Sequence, residues 1–210
     1  MAVRIHGERF LEAPVDGPTR GITLAAVALL LVTYLFPLWN LTMFAPQYPD
    51  GLRLDIYSYT LTGGNAGQDV KEVNVLNHYI GMRDLDRTAF TEFQWMPFVI
   101  GGIGLLMLRA AVHGTAASLL DVVMLFVYFG AFSGWSFAFK LYQYGHQLAP
   151  DAAIKVAPFM PPVFGYRQIA NFEVYPYPRA GTYAMLASMA LLGVALLRVW
   201  RTWRTATPKG

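Results

Sequence analysis

Four long apolar runs dominate the pattern of hydrophobic and polar positions along this chain. They cover Gly21–Phe44, Phe93–Val112, Ala116–Tyr144 and Gly181–Trp200. Each approaches the roughly 20 apolar residues that a helix needs to cross about 30 Å of hydrocarbon. A chain in lipid must also satisfy its backbone hydrogen bonds within each segment. The pattern therefore predicts an all-α membrane protein, with residues 1–210 forming a single domain of four transmembrane helices.

Two polar segments, 45–92 and 145–180, are predicted to be structured loops on one side of the membrane. In the first loop three apolar residues alternate with polar ones and predict one short strand: Leu52, Leu54 and Ile56. Four later apolar residues recur at helical spacing: Val70, Val73, Leu76 and Ile80. They predict a short amphipathic helix that stops near Gly81. Six prolines in the second loop predict an ordered but irregular cover.

The distribution of basic residues predicts the orientation in the membrane. Lysine and arginine concentrate in the N-terminal tail, the link after the second run and the C-terminus: Arg4, Arg9, Arg20, Arg109, Arg198, Arg201, Arg204 and Lys209. Loop 45–92 instead carries seven acidic residues against four basic ones. We therefore expect a multi-pass protein of the inner membrane, with both termini cytoplasmic and both loops periplasmic. The net charge of +3 reflects these helix ends, so the expected partners are lipid and membrane or periplasmic proteins, and not nucleic acid.

Several kinds of chemistry are disfavoured by the residues present. The chain has no cysteine, which excludes disulfides, thiolate metal sites and covalent haem attachment. The four histidines lie in tails, links or helix ends and not within apolar runs: His6, His78, His113 and His146. Haem is therefore not expected. No phosphate-binding glycine loop, His-Glu-x-x-His pattern or nucleophile elbow occurs, and we predict that the protein is not an enzyme.

The two loops contain the residues best suited to a metal. His78 and Met82 are four residues apart, which places them on one face of the predicted helix, while His146 and Met160 belong to the second loop. Imidazole together with thioether favours copper, particularly Cu(I). Supporting residues would be Tyr79, Asp84 and Lys155. The plainer interpretation is that methionine fills apolar gaps and that loop histidines bond to carbonyl or carboxylate groups.

Two charged residues within the apolar runs support a third interpretation. Asp121 lies near the predicted cytoplasmic end of its helix, and Lys140 lies near the opposite end. An acidic group inside a membrane can mark a proton path, which would indicate a proton-handling or quinone-linked component. The favoured alternative is that Asp121 pairs with Arg109 across the hairpin and that Lys140 extends its amino group to the interface.

Several short motifs resemble a known group of membrane proteins. They are Phe36-Pro37-Leu38-Trp39, Ala45-Pro46-Gln47-Tyr48-Pro49, Leu76-Asn77-His78-Tyr79-Ile80-Gly81-Met82, Tyr144-Gly145-His146, Ala153-Ile154-Lys155-Val156 and Pro161-Pro162. Together they are similar to uncharacterised four-helix inner-membrane proteins from gene neighbourhoods for nitrous oxide reductase maturation. The resemblance spans about Phe36 to Arg179 and implies a link to copper handling, but it brings no ligand assignment.

Two functions follow as expectations from these observations. The first is an accessory membrane protein that handles copper for a periplasmic or membrane-bound copper enzyme, with His78, Met82, His146 and Met160 as ligands. The second is a structural subunit of a respiratory or oxygenase membrane complex, in which the aromatic second loop forms an interface.

Overall fold

The computed structural model describes residues 10–206, in which five α-helices of 12 or more residues, two short 3-10 helices (Asn65–Gly67 and Arg87–Ala89) and five strands form. The helices are α1 (Gly17–Val32), α2 (Gln68–Tyr79), α3 (Glu92–His113), α4 (Ala116–His146) and α5 (Ala180–Ala206). The strands are β1 (Trp39–Ala45), β2 (Tyr48–Ile56), β3 (Leu61–Gly63), β4 (Arg167–Ile169) and β5 (Phe172–Pro178). Of the basic residues used to predict orientation, Arg4, Arg9 and Lys209 lie outside the described residues, as does His6.

Three helices, α3, α4 and α5, are long and apolar enough to cross a membrane. Their most apolar windows have mean hydropathies of 1.7, 1.8 and 1.8, and the chain is a multi-pass membrane protein by this measure. They correspond to the predicted second, third and fourth transmembrane helices. At 1.5 Å per residue, the 31 residues of α4 extend about 46 Å, which is more than the hydrocarbon thickness requires.

The predicted first helix, 21–44, is wrong at its C-terminal end. Helix α1 stops at Val32 after 16 residues, a length of about 24 Å, and the end of the same apolar run forms strand β1. Pro37 separates the two elements, in keeping with its fixed φ and missing N–H group. Apolar content alone does not distinguish an apolar helix from a buried strand, and here α1 and β1 follow each other without a polar break.

The prediction of an all-α fold with one short strand is also wrong, because the loops form a five-stranded antiparallel sheet. The strand order is β3-β2-β1-β5-β4, so β5 from the second loop pairs with β1 from the end of the first apolar run. Leu41 of β1 lies opposite Leu54 of β2 on one side and Pro176 of β5 on the other. Strand β4 reaches only as far as Val174. The prolines of β5 therefore lie where the strand has a single neighbour and fewer N–H groups are needed.

One face of the sheet packs against α2. The predicted alternation in β2 is confirmed, with Leu52 and Leu54 buried, and the predicted amphipathic helix is confirmed as α2. Their shared core comprises Met43, Ala45, Leu52, Leu54, Val73, Leu76, Ile80, Ile169, Phe172 and Val174. Burying a side chain of this size contributes about 1.5–3 kcal/mol, so this core is the main reason that the loops fold.

The predicted single domain comprises two compact units. The helical unit contains residues 10–32, 98–131 and 184–206, and the sheet unit contains residues 33–97 and 132–183. Within the helical unit, the Ser188 hydroxyl donates to the Ala26 carbonyl at 2.7 Å, and Arg198 pairs with Asp16 at 3.2 Å. The N–H of Val15 donates to the Gly114 carbonyl at 2.7 Å. These contacts hold the start of α1, the α3–α4 link and the C-terminal part of α5 at one end of the unit.

Candidate functional site

The two loops meet along a seam between the C-terminal end of α2 and the segment after α4. We call residues 77–84 and 144–160 the loop seam. The N–H of Ala149 donates to the Gly81 carbonyl and the N–H of Ile154 to the Tyr79 carbonyl, both at 2.8 Å. The Tyr144 hydroxyl donates to the Asp84 carbonyl at 3.0 Å. These bonds bring the candidate ligands of both loops into one structural unit.

Glycines at two positions allow this close approach. Gly81 has φ +79°, a conformation that side chains other than glycine rarely adopt, and a Cβ there would lie 2.9 Å from the N and O atoms of Ala149. A Cβ at Gly145 would overlap the Phe159 carbonyl and lie 2.7 Å from the Cδ of Pro161. Sequence reasoning identified Gly81 only as a helix stop and missed Gly145, because neither close contact is visible in local sequence.

The first predicted ligand pair, His78 and Met82, does not share a helical face. Helix α2 ends at Tyr79, and the turn at Gly81 redirects the chain before Met82. His78 is exposed, whereas Met82 is half-buried and packs against the core between α2 and the sheet. The premise that these residues are four apart on one helix is therefore wrong, although both lie at the loop seam.

The second predicted pair, His146 and Met160, follows two residues that share a backbone hydrogen bond. The N–H of Phe159 donates to the Gly145 carbonyl at 3.0 Å. His146 directly follows Gly145 in the chain, and Met160 directly follows Phe159. Both side chains are half-buried. Nδ1 of His146 lies 3.0 Å from the Tyr142 carbonyl, and its ring stacks on that of Tyr142 with centroids 3.8 Å apart. When Nδ1 carries the proton, it donates to this carbonyl and Nε2 keeps a lone pair for a metal.

The three predicted supporting residues act through other contacts. The carbonyls of Tyr79 and Asp84 accept the seam hydrogen bonds given above, and their side chains are exposed. Lys155 donates from its amino group to the Pro150 carbonyl. None of these contacts involves a candidate ligand. Within residues 10–206, no group of three or more histidine and carboxylate side chains could hold a metal ion.

A second polar cluster, missed by sequence reasoning, lies between α3 and the outer part of α4. Oε1 of Glu92 accepts from the Ser136 hydroxyl at 2.7 Å, and Oε2 lies 3.8 Å from the amino group of Lys140. The 3.8 Å distance allows an ion pair but is too long for a hydrogen bond. Oε2 of Glu92 is therefore buried without a hydrogen-bond donor among the described residues. The hydroxyl of Ser133 and Nε1 of Trp39 are likewise buried without partners. Ser133, Ser136 and Lys140 are spaced by three and four residues, which places them on one face of α4. This spacing is the sequence signal that could have identified the cluster.

The charged pair proposed within the membrane is absent. In the described part of the chain, Asp121 forms no ion pair with Arg109, and its side chain is exposed. Lys140 does not extend into solvent alone, because it pairs with Glu92 and donates to the Ala89 carbonyl at 3.3 Å. The prediction of an Asp121–Arg109 pair is therefore wrong.

The sheet unit also contains a carboxylate whose charge is supported by neighbouring donors. The Tyr48 hydroxyl donates to Glu72, and Gln68 donates to the same carboxylate at 3.0 Å. These hydrogen bonds, that of Tyr48 above all, lower the pKa of Glu72. The same hydrogen bond to Glu72 raises the pKa of Tyr48, because it requires the neutral phenol.

Comparisons of the chain with protein-family models, curated proteins and solved structures find no match. The interpretation of the loop seam therefore depends on its own residues and geometry.

Proposed function

We propose that the chain is an inner-membrane accessory protein whose sheet unit binds copper at the loop seam for a periplasmic or membrane-bound copper enzyme. The observation that supports this best is the backbone bond between Gly145 and Phe159, the residues that directly precede His146 and Met160. One imidazole nitrogen and one thioether sulfur provide the start of a Cu(I) site. His78 is the third candidate, exposed at the end of α2.

The four candidates are not equal in this proposal. His146 is held by its Tyr142 contacts, so little side-chain freedom is lost when it binds a metal. Met82 is the weakest candidate because its side chain already packs against the hydrophobic core. We therefore assign His146 and Met160 as the principal ligands and His78 as the residue that completes the site.

Copper binding is tested on the full-length protein in detergent by competition with a chromogenic Cu(I) chelator. We expect His146→Ala combined with Met160→Leu to weaken Cu(I) binding by about 100-fold. Losing a residue that only supports a ligand typically weakens metal binding by about 10- to 100-fold, so losing two ligands should reach at least the upper value. His113→Ala is the matched control, since its ring also contacts the carbonyl four residues earlier, that of Arg109, at 3.2 Å. Equal Cu(I) affinity in the double variant and the wild type would refute the copper proposal.

The alternative function is a structural subunit of a respiratory or oxygenase complex, and one observation favours it. The second loop exposes large aromatic side chains, with Phe164 72% and Tyr166 54% accessible. Aromatic residues are enriched at protein interfaces. Gentle solubilisation from the native membrane tests this function: stoichiometric co-purification of other subunits with a copper-free chain would favour it over copper handling.

We also propose four membrane crossings, with both termini in the cytoplasm. The contacts that support this orientation join residues 13–16 to the α3–α4 link and to Arg198. Two of the arginines on which the sequence prediction rests take part here: Arg20 donates to the Val15 carbonyl at 3.3 Å, and Arg198 pairs with Asp16. Although α1 is only about 24 Å long, residues 10–16 and 33–38 add length at its two ends.

A further inference from the structure

An open groove lies in the sheet unit where strand β5 passes into helix α5. It has a volume of about 270 Å³ and is lined by Phe36, Pro37, Pro178, Arg179, Ala180 and Tyr183. Its two walls are joined by backbone bonds from Arg179 to the Leu38 carbonyl at 2.9 Å and from Gly181 to the Pro37 carbonyl at 3.0 Å. The groove is therefore fixed by the fold and does not depend on side-chain packing alone.

Gly181 shows how closely these walls approach each other. A Cβ at this position would lie 2.7 Å from the Phe36 carbonyl oxygen and 2.8 Å from that of Pro37. The Thr182 hydroxyl adds a third bond across the same junction, to the Leu38 carbonyl at 2.6 Å. A groove held by three such bonds needs little rearrangement to accept a ligand.

The charge of the groove comes from Arg179. Among the described residues, its guanidinium forms no ion pair and no hydrogen bond, and no acidic residue lines the groove. Three other arginines of the sheet unit have partners: Arg53 pairs with Asp55, Arg87 donates to the Tyr59 carbonyl, and Arg167 donates to the Met160 carbonyl. An unpaired guanidinium favours an anion that accepts two parallel hydrogen bonds, and phosphate oxygens have this geometry.

The position of the groove points to the source of that phosphate. Arg179 directly precedes α5, one of the three membrane-capable helices. Around it, Leu35 is 72%, Phe36 47% and Tyr183 59% exposed. Tyrosine at the end of such a helix is typical of the membrane interface, where lipid headgroups lie. Apolar side chains this exposed gain stabilisation when acyl chains cover them.

We infer that this groove binds the headgroup of an anionic phospholipid. The phosphodiester oxygens accept hydrogen bonds from Arg179, while the glycerol and the first acyl carbons lie against Phe36 and Tyr183. The volume is just below the roughly 300–1,000 Å³ of sites that enclose whole small molecules, which fits a headgroup whose chains remain in the bilayer. A free phosphate ion would leave the apolar walls uncovered, so the lipid is favoured over the soluble anion.

The inference is tested by native mass spectrometry of the full-length protein from mixed micelles containing either phosphatidylglycerol or phosphatidylcholine. We expect phosphatidylglycerol to be retained in preference to phosphatidylcholine, and Arg179→Gln to reduce that retention about tenfold. Arg179→Lys should retain an intermediate amount, since it keeps the charge but loses the paired donors. The matched control is Arg83→Gln, which removes an exposed arginine of the same unit outside the groove.

Three outcomes would overturn the assignment. Equal retention of the two lipids would show that the groove does not select an anion. Unchanged retention in Arg179→Gln would place the lipid elsewhere. Full competition by millimolar inorganic phosphate would indicate a soluble-anion site, in which case Tyr183→Ala would leave binding unaffected. Thermal melting of each variant separates loss of the binding site from loss of the fold. If Arg179→Gln is unstable, Arg179→Lys replaces it in the test because it changes the surface least.

Discussion

At the scale of single residues, buried carboxylates hold the first loop in place by accepting hydrogen bonds from neighbouring segments. Asp69 is 3% exposed and accepts from the backbone N–H of Arg53 and from the Asn65 side chain, both at 2.8 Å. It thereby ties the first turn of α2 to strand β2. Glu92 performs a similar role at the start of α3, but Oε2 of its carboxylate lacks a hydrogen bond. Asp69 is thus a satisfied structural group, whereas Glu92 has one carboxylate oxygen without a hydrogen bond among the described residues.

The Tyr48–Glu72 hydrogen bond gives a residue-scale prediction about pH. Because the folded pKa of Glu72 is lowered, its contribution to stability is present above about 4.3, the ordinary glutamate pKa, and is lost as the pH falls through the folded value. The raised pKa of Tyr48 preserves the bond up to about pH 10 and loses it above the folded value. We expect Tyr48→Phe to lower the melting temperature slightly between about pH 5 and 9, and this difference to shrink as the pH falls below about 4.3 or rises above about 10.

The melting temperature is measured in detergent across this pH range, with Tyr57→Phe as the control. Tyr57 stacks against Tyr59, but its hydroxyl forms no hydrogen bond within residues 10–206. A pH-independent difference between Tyr48→Phe and the wild type would contradict the assignment of this hydrogen bond.

At the scale of elements, the end of α2 determines how the two loops fit together. Gly81 lies just after the end of this helix, and its carbonyl accepts a hydrogen bond from the N–H of Ala149. The Gly81 Cα has no room for a side chain. Nearby, Val156 and Phe159 of the second loop pack against the core between α2 and the sheet. Hydrogen bonds and apolar packing therefore act together to hold residues 145–160 against the first loop.

The Gly81 contact gives an element-scale prediction. Gly81→Ala combines a left-handed conformation, which costs an alanine about 1–2 kcal/mol, with clashes against Ala149 and Ala152. Gly67→Ala is the control, because Gly67 has φ +90° but no atom within 4 Å of its Cβ position. We expect both variants to lower stability and Gly81→Ala to do so by at least about 1 kcal/mol more.

Hydrogen–deuterium exchange distinguishes the two variants further. Exchange at the amides of Ala149 and Ile154, which donate across the loop seam, should accelerate in Gly81→Ala and stay unchanged in Gly67→Ala. Equal protection of these amides in both variants would argue against the seam.

At the scale of the whole molecule, the central question is how many times the chain crosses the membrane. Helices α3, α4 and α5 are long enough by themselves, and α1 is shorter. Within the helical unit, α1 nevertheless packs beside α3 and α5: its Leu30 lies 3.8 Å from the Cβ position of Gly104, and its Ala26 accepts from Ser188. The proposal of a fourth crossing rests on this packing of α1 against two membrane-capable helices.

Single-cysteine labelling tests the proposed orientation, since the chain has no cysteine of its own. In spheroplasts, an impermeant maleimide should label Lys71→Cys and Ala157→Cys, two exposed positions of the loops. We expect Leu11→Cys and His113→Cys to be labelled only after permeabilisation. Leu11 precedes α1 and His113 is the last residue of α3, and both positions lie at the proposed cytoplasmic end. Labelling of Leu11→Cys in intact spheroplasts would leave three crossings and refute the four-helix topology.

Local sequence determined those features whose physical cause is local. The lengths of the apolar runs predicted α3, α4 and α5, because crossing a bilayer sets a minimum number of apolar residues. The period of two at Leu52 and Leu54 predicted β2, and the helical spacing from Val70 to Ile80 predicted α2. The candidate ligands were selected by side-chain chemistry, and their assignment as copper ligands stays a prediction.

Only the tertiary structure decided that the loops form a sheet and where in it the candidate residues lie. Strand β1 pairs with β5, more than 120 residues further along the chain, and no local pattern encodes such a partner because strand propensity depends on packing. The same holds for the bond between Gly145 and Phe159, and for the turn at Gly81 that parts Met82 from the face of His78. Burial of the shared core pays for the order of these long loops, and that burial exists only when both are folded together.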